Sequence, residues 1–363
     1  MNKRLYVDIH VLQNVPPSCV NRDDTGSPKT AIYGGAVRAR VSSQAWKHAM
    51  REEFKKLFAV EELGSRTKSV VEMVEKEMYA IDSSIDKDDC HKKAISALDL
   101  AGIKVKSPKK DETEKADALF FMSNMQAKKL AEYALSLDFK AKESKELFRN
   151  ALKDNPSVDI ALFGRMAASD PTLNYDAASQ VAHAISTHSV QNEYDYFTAV
   201  DDLQTEDNAG AGHLGTVEFN SSTLYRYATV NATELCDTLG KENVAETVKK
   251  FGQAFIRSMP TGKINTFANR TFPDTVYITL RSDQPVNLCG AFEKPVKRSE
   301  NGYVEASKKA LADYSSDIYT RFTARPDVEL SIDSCFGESV EVYPLTELLT
   351  ELEKAVSAKL NEV

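Results

Sequence analysis

The chain has 363 residues, 42% of them hydrophobic and 28% charged, with a formal net charge of −8. That is the composition of a globular protein of one large domain or a few modules. No stretch of about 18 uncharged apolar residues marks a membrane span. The five cysteines, Cys19, Cys90, Cys236, Cys289 and Cys335, are scattered and form no CxxC pair. They argue for free thiols in a reducing cytoplasm, against a disulfide framework and against a structural zinc site.

The charge is uneven. Residues 1–56 hold ten Lys or Arg against five Asp or Glu, whereas residues 57–363 hold 36 against 49. A basic patch on an acidic body can still grip phosphates, because screening confines surface charge to about 8–10 Å.

In chain order, LYVDIHVLQ places Leu5, Val7, Ile9 and Val11 on one face and predicts a half-buried strand rather than a signal peptide. His10 is then a packed or edge residue. VPPSCVNRDDTGSPK is rich in turn formers and predicts a loop. In AVRARVS, Val37, Ala39 and Val41 alternate with Arg38 and Arg40, so both arginines face solvent or an anion. The Gly34-Gly35 pair before them allows close backbone approach to a ligand.

SSQAWKHAMREEFKKLF predicts a helix capped by Ser42 or Ser43, with Trp46, Met50, Phe54, Leu57 and Phe58 as its apolar stripe. Gln44, Lys47, Arg51 and Lys55 share its polar face, and the backbone N–H groups at its start favour an anion. Arg22, Lys29, Arg38, Lys47 and Arg51 can therefore neutralise phosphates while Ser42 and Gln44 donate hydrogen bonds. The same residues also suit an ordinary solvated strand and helix face.

Residues 60–155 carry helical stripes such as Val70, Val71, Val74 and Met78, and predict a helical insertion. A helix is also predicted over AASQVAHAISTH, residues 177–188. Residues 191–222 form a long polar segment with seven acidic residues and no Lys or Arg. TLYRYATVN and TVYITLRS predict strands; AETVKKFGQAFIRSM, the 302–322 segment and PLTELLTELEKAVSAKL predict helices. The sum is an α+β fold, an open antiparallel sheet backed by helices, of ferredoxin-like or RRM-like type.

Asp23-Asp24 and Asp201-Asp202 are paired carboxylates that could hold Mg²⁺ for phosphodiester cleavage, or serve turns and caps. His183 and His188 lie five apart, a poor fit to one helix face, and no HExxH is present. No GxGxxG, GxxxxGK[ST] or GxSxG occurs, so nothing points to a nucleotide cofactor or acyl-enzyme. Tyr196-Phe197, in the acidic segment, could wedge against bases or anchor the segment to its own core.

PSCVNRDD, SSQAWKHAMR, VDIALFGRMAAS and the run AHAISTHSVQNEYDYFTAVDD…GAGHLGTVEFNSSTLYRYA resemble the CasC-type backbone subunit of the type I-E CRISPR Cascade surveillance complex; AFEKPVK adds to this. The resemblance implies a modified RRM palm (1–59, 181–190 and 223–363), helical fingers (60–180) and a thumb hairpin (191–222). It implies a non-catalytic subunit that stacks head to tail along crRNA, displaces bases at intervals with its thumb and presents the guide to target DNA. Partners would be crRNA, target DNA, further copies and subunits of CasA, CasB, CasD and CasE types, with no cofactor or metal.

By the same resemblance, Asn21, Arg22, Ser42, Gln44, Lys47 and His48 match guide-contacting positions and Lys29 a basic loop position. Arg38, Arg40 and Arg51 join them from the charge pattern. Met166 matches a residue near the displaced base, and Tyr196, Phe197, His213 and Leu214 belong to the thumb. The family is more basic just after the double glycine and its thumb pair usually opens with Trp. The competing expectation is a metal-dependent RNA nuclease subunit that uses Asp23 or Asp24.

Overall fold

A computed structural model describes residues 4–106, 114–141, 143–167, 170–199 and 213–362. Its first elements are β1 (Tyr6–Ser18), β2 (Thr30–Tyr33), β3 (Ala36–Val41), α1 (Ser43–Leu57), β4 (Gly64–Thr67), α2 (Val70–Ile81), α3 (Lys87–Ala101), β5 (Val105–Lys106), β6 (Lys115–Ala116) and β7 (Phe120–Ser123). There follow α4 (Asn124–Ser136), α5 (Ser144–Ala151), α6 (Val158–Phe163), β8 (Ser179–Val181), β9 (Ala184–Ser186), β10 (Glu193–Ala199), β11 (His213–Asn231), α7 (Ala232–Leu239) and α8 (Lys241–Arg257). The last are α9 (Ile264–Phe267), β12 (Thr275–Arg281), α10 (Val304–Arg321), β13 (Val328–Ser331), β14 (Glu341–Val342) and α11 (Leu345–Glu362).

The architecture is α+β, with a largely antiparallel sheet of order β14-β13-β12-β1-β11-β9-β3-β2, joined through β11 by β10 and β8. Two compact units divide the chain. Met1–Met50, Val181–Thr229 and Phe251–Val363 form the first; Arg51–Gln180 and Val230–Lys250 form the second. None of the described helices is long and apolar enough to cross a membrane.

In the first unit β1 pairs with β12 and β11 on its two edges, and residues on both its faces are buried, Val7, Ile9 and Val11 on one and Asp8, His10 and Leu12 on the other, so it is not the half-buried strand expected. Asp8 and His10 are buried too, and each has a partner. Tyr227 and the Val286 N–H donate to Asp8, each at 2.8 Å. His10 Nδ1 lies 2.9 Å from the Tyr225 hydroxyl, its ring among Tyr225, Tyr227 and Tyr277. β1 also runs on through Pro16-Pro17 to Ser18, part of the stretch expected to be loop.

One expectation fails here. Residues 177–188 are not a helix but the strands β8 and β9, despite their helix-favouring alanines. The neighbouring ladder decides the matter: Ser186 and Ile185 pair with Leu224 and Tyr225, and Ala182 and Thr187 donate to Tyr227 and Thr223 carbonyls. The Gly34-Gly35 pair serves the β2–β3 turn, at φ +57° and +72°. A Cβ on Gly34 would lie 1.6 Å from the Glu293 carbonyl oxygen, so the close approach is to the chain itself.

The second unit buries the α2 stripe Val70, Val74 and Met78 against Leu98, Leu130 and Phe148 from α3, α4 and α5. It also contains two small ribbons that the helical reading did not anticipate, β4–β7 and β5–β6.

Candidate nucleic-acid interface

The loop after β1 closes on itself. Asp23 Oδ1 accepts from the Thr25 N–H (2.9 Å), the Thr25 hydroxyl (2.7 Å) and the Ser27 N–H (3.0 Å). The Thr25 hydroxyl, above all, holds this exposed carboxyl below its usual range. Arg22 and Pro28 bridge the base of the lobe, and Lys29 N–H donates to the Asn21 carbonyl at 2.8 Å. Arg22 and Asp24 are exposed on the lobe, and a cleft of about 510 Å³ is lined by Val20–Gly26 and Gly262. Asp23 is thus committed to its own loop. Among the described residues no three His, Cys, Asp or Glu side chains gather where they could hold a metal ion.

The start of α1 is built by distant segments. Asn21 Oδ1 accepts from the Ser42 N–H at 2.9 Å, and the Ser42 hydroxyl accepts from the Ala45 N–H at 3.3 Å. The Ser43 N–H donates to His183 Nδ1 at 3.2 Å. Arg40 Nη1 lies 3.4 Å from that same nitrogen. Burial, then Arg40 and Lys29, lower the His183 pKa, so its ring is neutral at pH 7 and free to accept. Asn21 and Ser42 are therefore caps that orient the helix start. Gln44 and His48 stand exposed one turn apart on α1, and Lys29, Arg40 and Lys47 are half-buried.

Arg38 does not belong to this surface, which corrects the expectation from the alternating pattern. It is fully buried, donating to the carbonyls of Ser186 (2.8 Å), Phe292 (2.8 Å) and Glu293 (3.2 Å). Val37, expected inside, is 46% exposed. Ala39 and Val41 are buried as the alternation predicts, but Arg38 is buried as well, lying over Tyr33 and binding the 292–293 carbonyls.

Arg51 is likewise engaged, within the second unit. Its Nε pairs with Asp159 at 3.1 Å, its Nη2 donates to the Gly64 carbonyl at 3.1 Å, and it lies over Phe121. Ser157 and the Gly64 N–H complete the Asp159 carboxylate. Met166, also in the second unit, is 84% exposed.

β10 and β11 form an antiparallel ribbon where the thumb hairpin was expected. Tyr196 and Phe197 are both exposed, but as strand neighbours they point to opposite faces. Phe197 lies opposite Gly215, where a Cβ would come within 2.3 Å of its ring. The partner of Tyr196 on its own face is Tyr194, also exposed; the period-two spacing in EYDYF was the signal for it. The backbones of His213 and Leu214 pair with Ala199 and Thr198. Residues 200–212, Asp201-Asp202 included, lie outside the described residues, as do the side chains of His213 and Leu214.

A family model described as CT1975-like protein matches residues 7–350. A solved chain of a CRISPR RNA-guided surveillance complex, pre-nicking, is 30% identical with a TM-score of 0.83, covering 97% of this chain and 99% of its own. A second, from a CRISPR RNA-guided surveillance complex, is 28% identical with a TM-score of 0.61, covering 96% and 99%. None of the curated proteins matches the chain.

Proposed function

Since the chain belongs to the CT1975-like protein family, we propose that it is a non-catalytic, crRNA-binding backbone subunit of a CRISPR Cascade complex of type I-E. Copies stack head to tail along the guide in the cytoplasm. The β10–β11 hairpin displaces guide bases at intervals, leaving the rest to pair with target DNA. CasA-, CasB-, CasD- and CasE-type subunits complete the complex.

The observation that carries this reading is the helix start of the first unit. Arg40 and Lys29 stand by His183 at an α1 N-terminus whose caps come from Asn21, Ser42 and His183, and Arg22 follows Asn21 on the lobe. Such a surface tracks phosphates without reading bases. Exposed Gln44 and His48 extend it along α1, with Lys47 between them. In the described part of the hairpin, Glu193, Asp195 and Glu218 are unaccompanied by any Lys or Arg, so the hairpin suits a basic edge of the next copy better than the RNA backbone. Asp23, spent on its own loop, gives the nuclease reading no free carboxylate pair.

The test is to co-express the chain with its neighbouring genes and a CRISPR array, purify it and size the bound nucleic acid. One RNA species of uniform length in a large multimer is expected. A smear of random fragments, or Mg²⁺-dependent cutting of complementary RNA that is lost on Asp24→Ala, overturns the reading.

A further inference from the structure

We infer that the outer face of the β5–β6 ribbon binds the phosphate backbone of a nucleic-acid strand through Lys104, Lys106 and Lys115. The ribbon belongs to the second unit, whereas the surface proposed above lies in the first, so neither site depends on the other.

The register sets the face. Lys106 stands directly opposite Lys115, and Val105 opposite Ala116. The Asp117 N–H donates to the Lys104 carbonyl at 3.2 Å, which carries the pairing one step further. Opposite residues share a face and successive residues alternate. Val105 and Ala116 take the inner face, where both pack on the helical core of the unit. Lys104, Lys106, Lys115 and Asp117 take the outer face, and all four are exposed. Lys68, also exposed, flanks β6, its carbonyl accepting from the Ala116 N–H at 2.9 Å.

The charges on this face do not cancel. Asp117 is the one carboxylate among the four, and it pairs with Lys106 at 2.5 Å. Its hydrogen bond to Lys106, helped by the charges of Lys106, Lys68 and Lys104, holds its carboxyl below the usual range. Glu114 does not join the face: it turns to His91, whose Nε2 lies 3.0 Å from its carboxylate. The intervening residues 107–113 balance Lys109 and Lys110 with Asp111 and Glu112. Like charges directly opposite, as Lys106 and Lys115 are, destabilise a ribbon unless an anion lies across them.

The residue types select the anion. Protein interfaces are depleted in lysine and recognise carboxylates through the arginine fork, whereas lysine serves phosphate as a point charge. Lys104 and Lys106, two residues apart on one strand, stand about 7 Å apart, which matches neighbouring phosphates of an extended single strand. With no aromatic among the four residues, the face tracks backbone and does not read bases.

The experiment titrates the full chain with labelled single-stranded DNA and single-stranded RNA of mixed sequence across a NaCl series, alongside thermal melting. The triple variant Lys104→Gln/Lys106→Gln/Lys115→Gln should flatten the salt slope by about 2, the share of three phosphate contacts, at an unchanged melting temperature. Lys104→Arg/Lys106→Arg/Lys115→Arg should keep the slope, and Asp117→Asn should tighten binding. The probe that loses the larger share identifies the strand as DNA or RNA. A wild-type slope in the Gln variant overturns the inference; if Arg22→Ala still lowers the slope, the first-unit reading stands. If Arg22→Ala changes nothing while the Gln variant loses its slope, the ribbon stands and the first-unit reading falls. Poly-glutamate bound as tightly as the nucleic acids, and released by the Gln variant, would assign the face to an acidic protein and overturn the inference, as would a wild type that binds neither probe.

Discussion

The Arg226 guanidinium lies 3.7 Å from the centre of the Trp46 ring and joins β11 to α1 inside the first unit. It donates to Gln13 Oε1 at 2.6 Å and to the Phe255 carbonyl, and burial alone lowers its pKa to about 9. A cation so deep is held by its stacking and its fork of donors.

Arg226→Lys keeps the charge but loses the flat stacking face and the two-pronged geometry. A loss of about 2–4 kcal/mol in denaturant unfolding is expected. Unchanged stability would show that the ammonium finds equivalent partners.

Arg38 and Arg22 should separate fold from binding. Arg38→Ala strips the Ser186, Phe292 and Glu293 carbonyls of their buried donor and should cost about 2–4 kcal/mol. Arg22→Ala, on an exposed lobe, should change stability by less than about 0.5 kcal/mol while weakening RNA binding without sequence preference. Melting curves and salt-dependent binding distinguish them. The reverse pattern would put Arg38 on the ligand.

Asp8 and His10 titrate against each other. Burial, outweighing its hydrogen bonds and Arg281, raises Asp8 to about 6, so between pH 4 and 6 the folded state holds a proton that the unfolded chain has lost. Stability from that group falls as pH rises through the window. Burial and then Arg281 lower His10 to about 3, so there the unfolded chain holds the extra proton and stability rises with pH. The slopes oppose one another between pH 4 and 6. Asp8→Asn should therefore leave a stability that climbs by about 3 kcal/mol across the window, and His10→Gln one that declines. Identical pH profiles for the two variants would contradict the opposition.

Gly215 and Phe197 should be coupled. Gly215→Ala forces its Cβ into the Phe197 ring and should distort the ribbon. In a Phe197→Ala background the same change should be nearly neutral. Assembly on RNA, measured for both single variants and the double, should give a coupling of about 1 kcal/mol or more. Additive effects would mean that the ring has room to move aside.

Where one residue's own neighbours decided its place, the sequence was a good guide. The α1 stripe of Trp46, Met50, Phe54 and Phe58 is buried as its spacing required, with Ser42 as its cap. Arg38 was misjudged because alternation says which residues share a face, not whether that face is covered by a distant segment, here the 292–293 carbonyls. The 177–188 segment failed for a related reason: its alanines fit a helix, but β11 offered a ladder from more than 35 residues away. His183 was invisible as a site residue because nothing local announces it: it reaches the helix start from 140 residues along the chain.

The capping of α1 also sets a timetable. Its first N–H groups receive their acceptors from residue 21 and residue 183, separations of 21 and 140 positions. Meanwhile β1, the opening strand, finds one flank only in residues 275–281. During synthesis the Ser43 N–H waits for His183, and β1 for β12, to leave the ribosome and fold back. The finished helix start and opening strand are thus late products, although the lobe and the Ser42 cap lie near the beginning of the sequence.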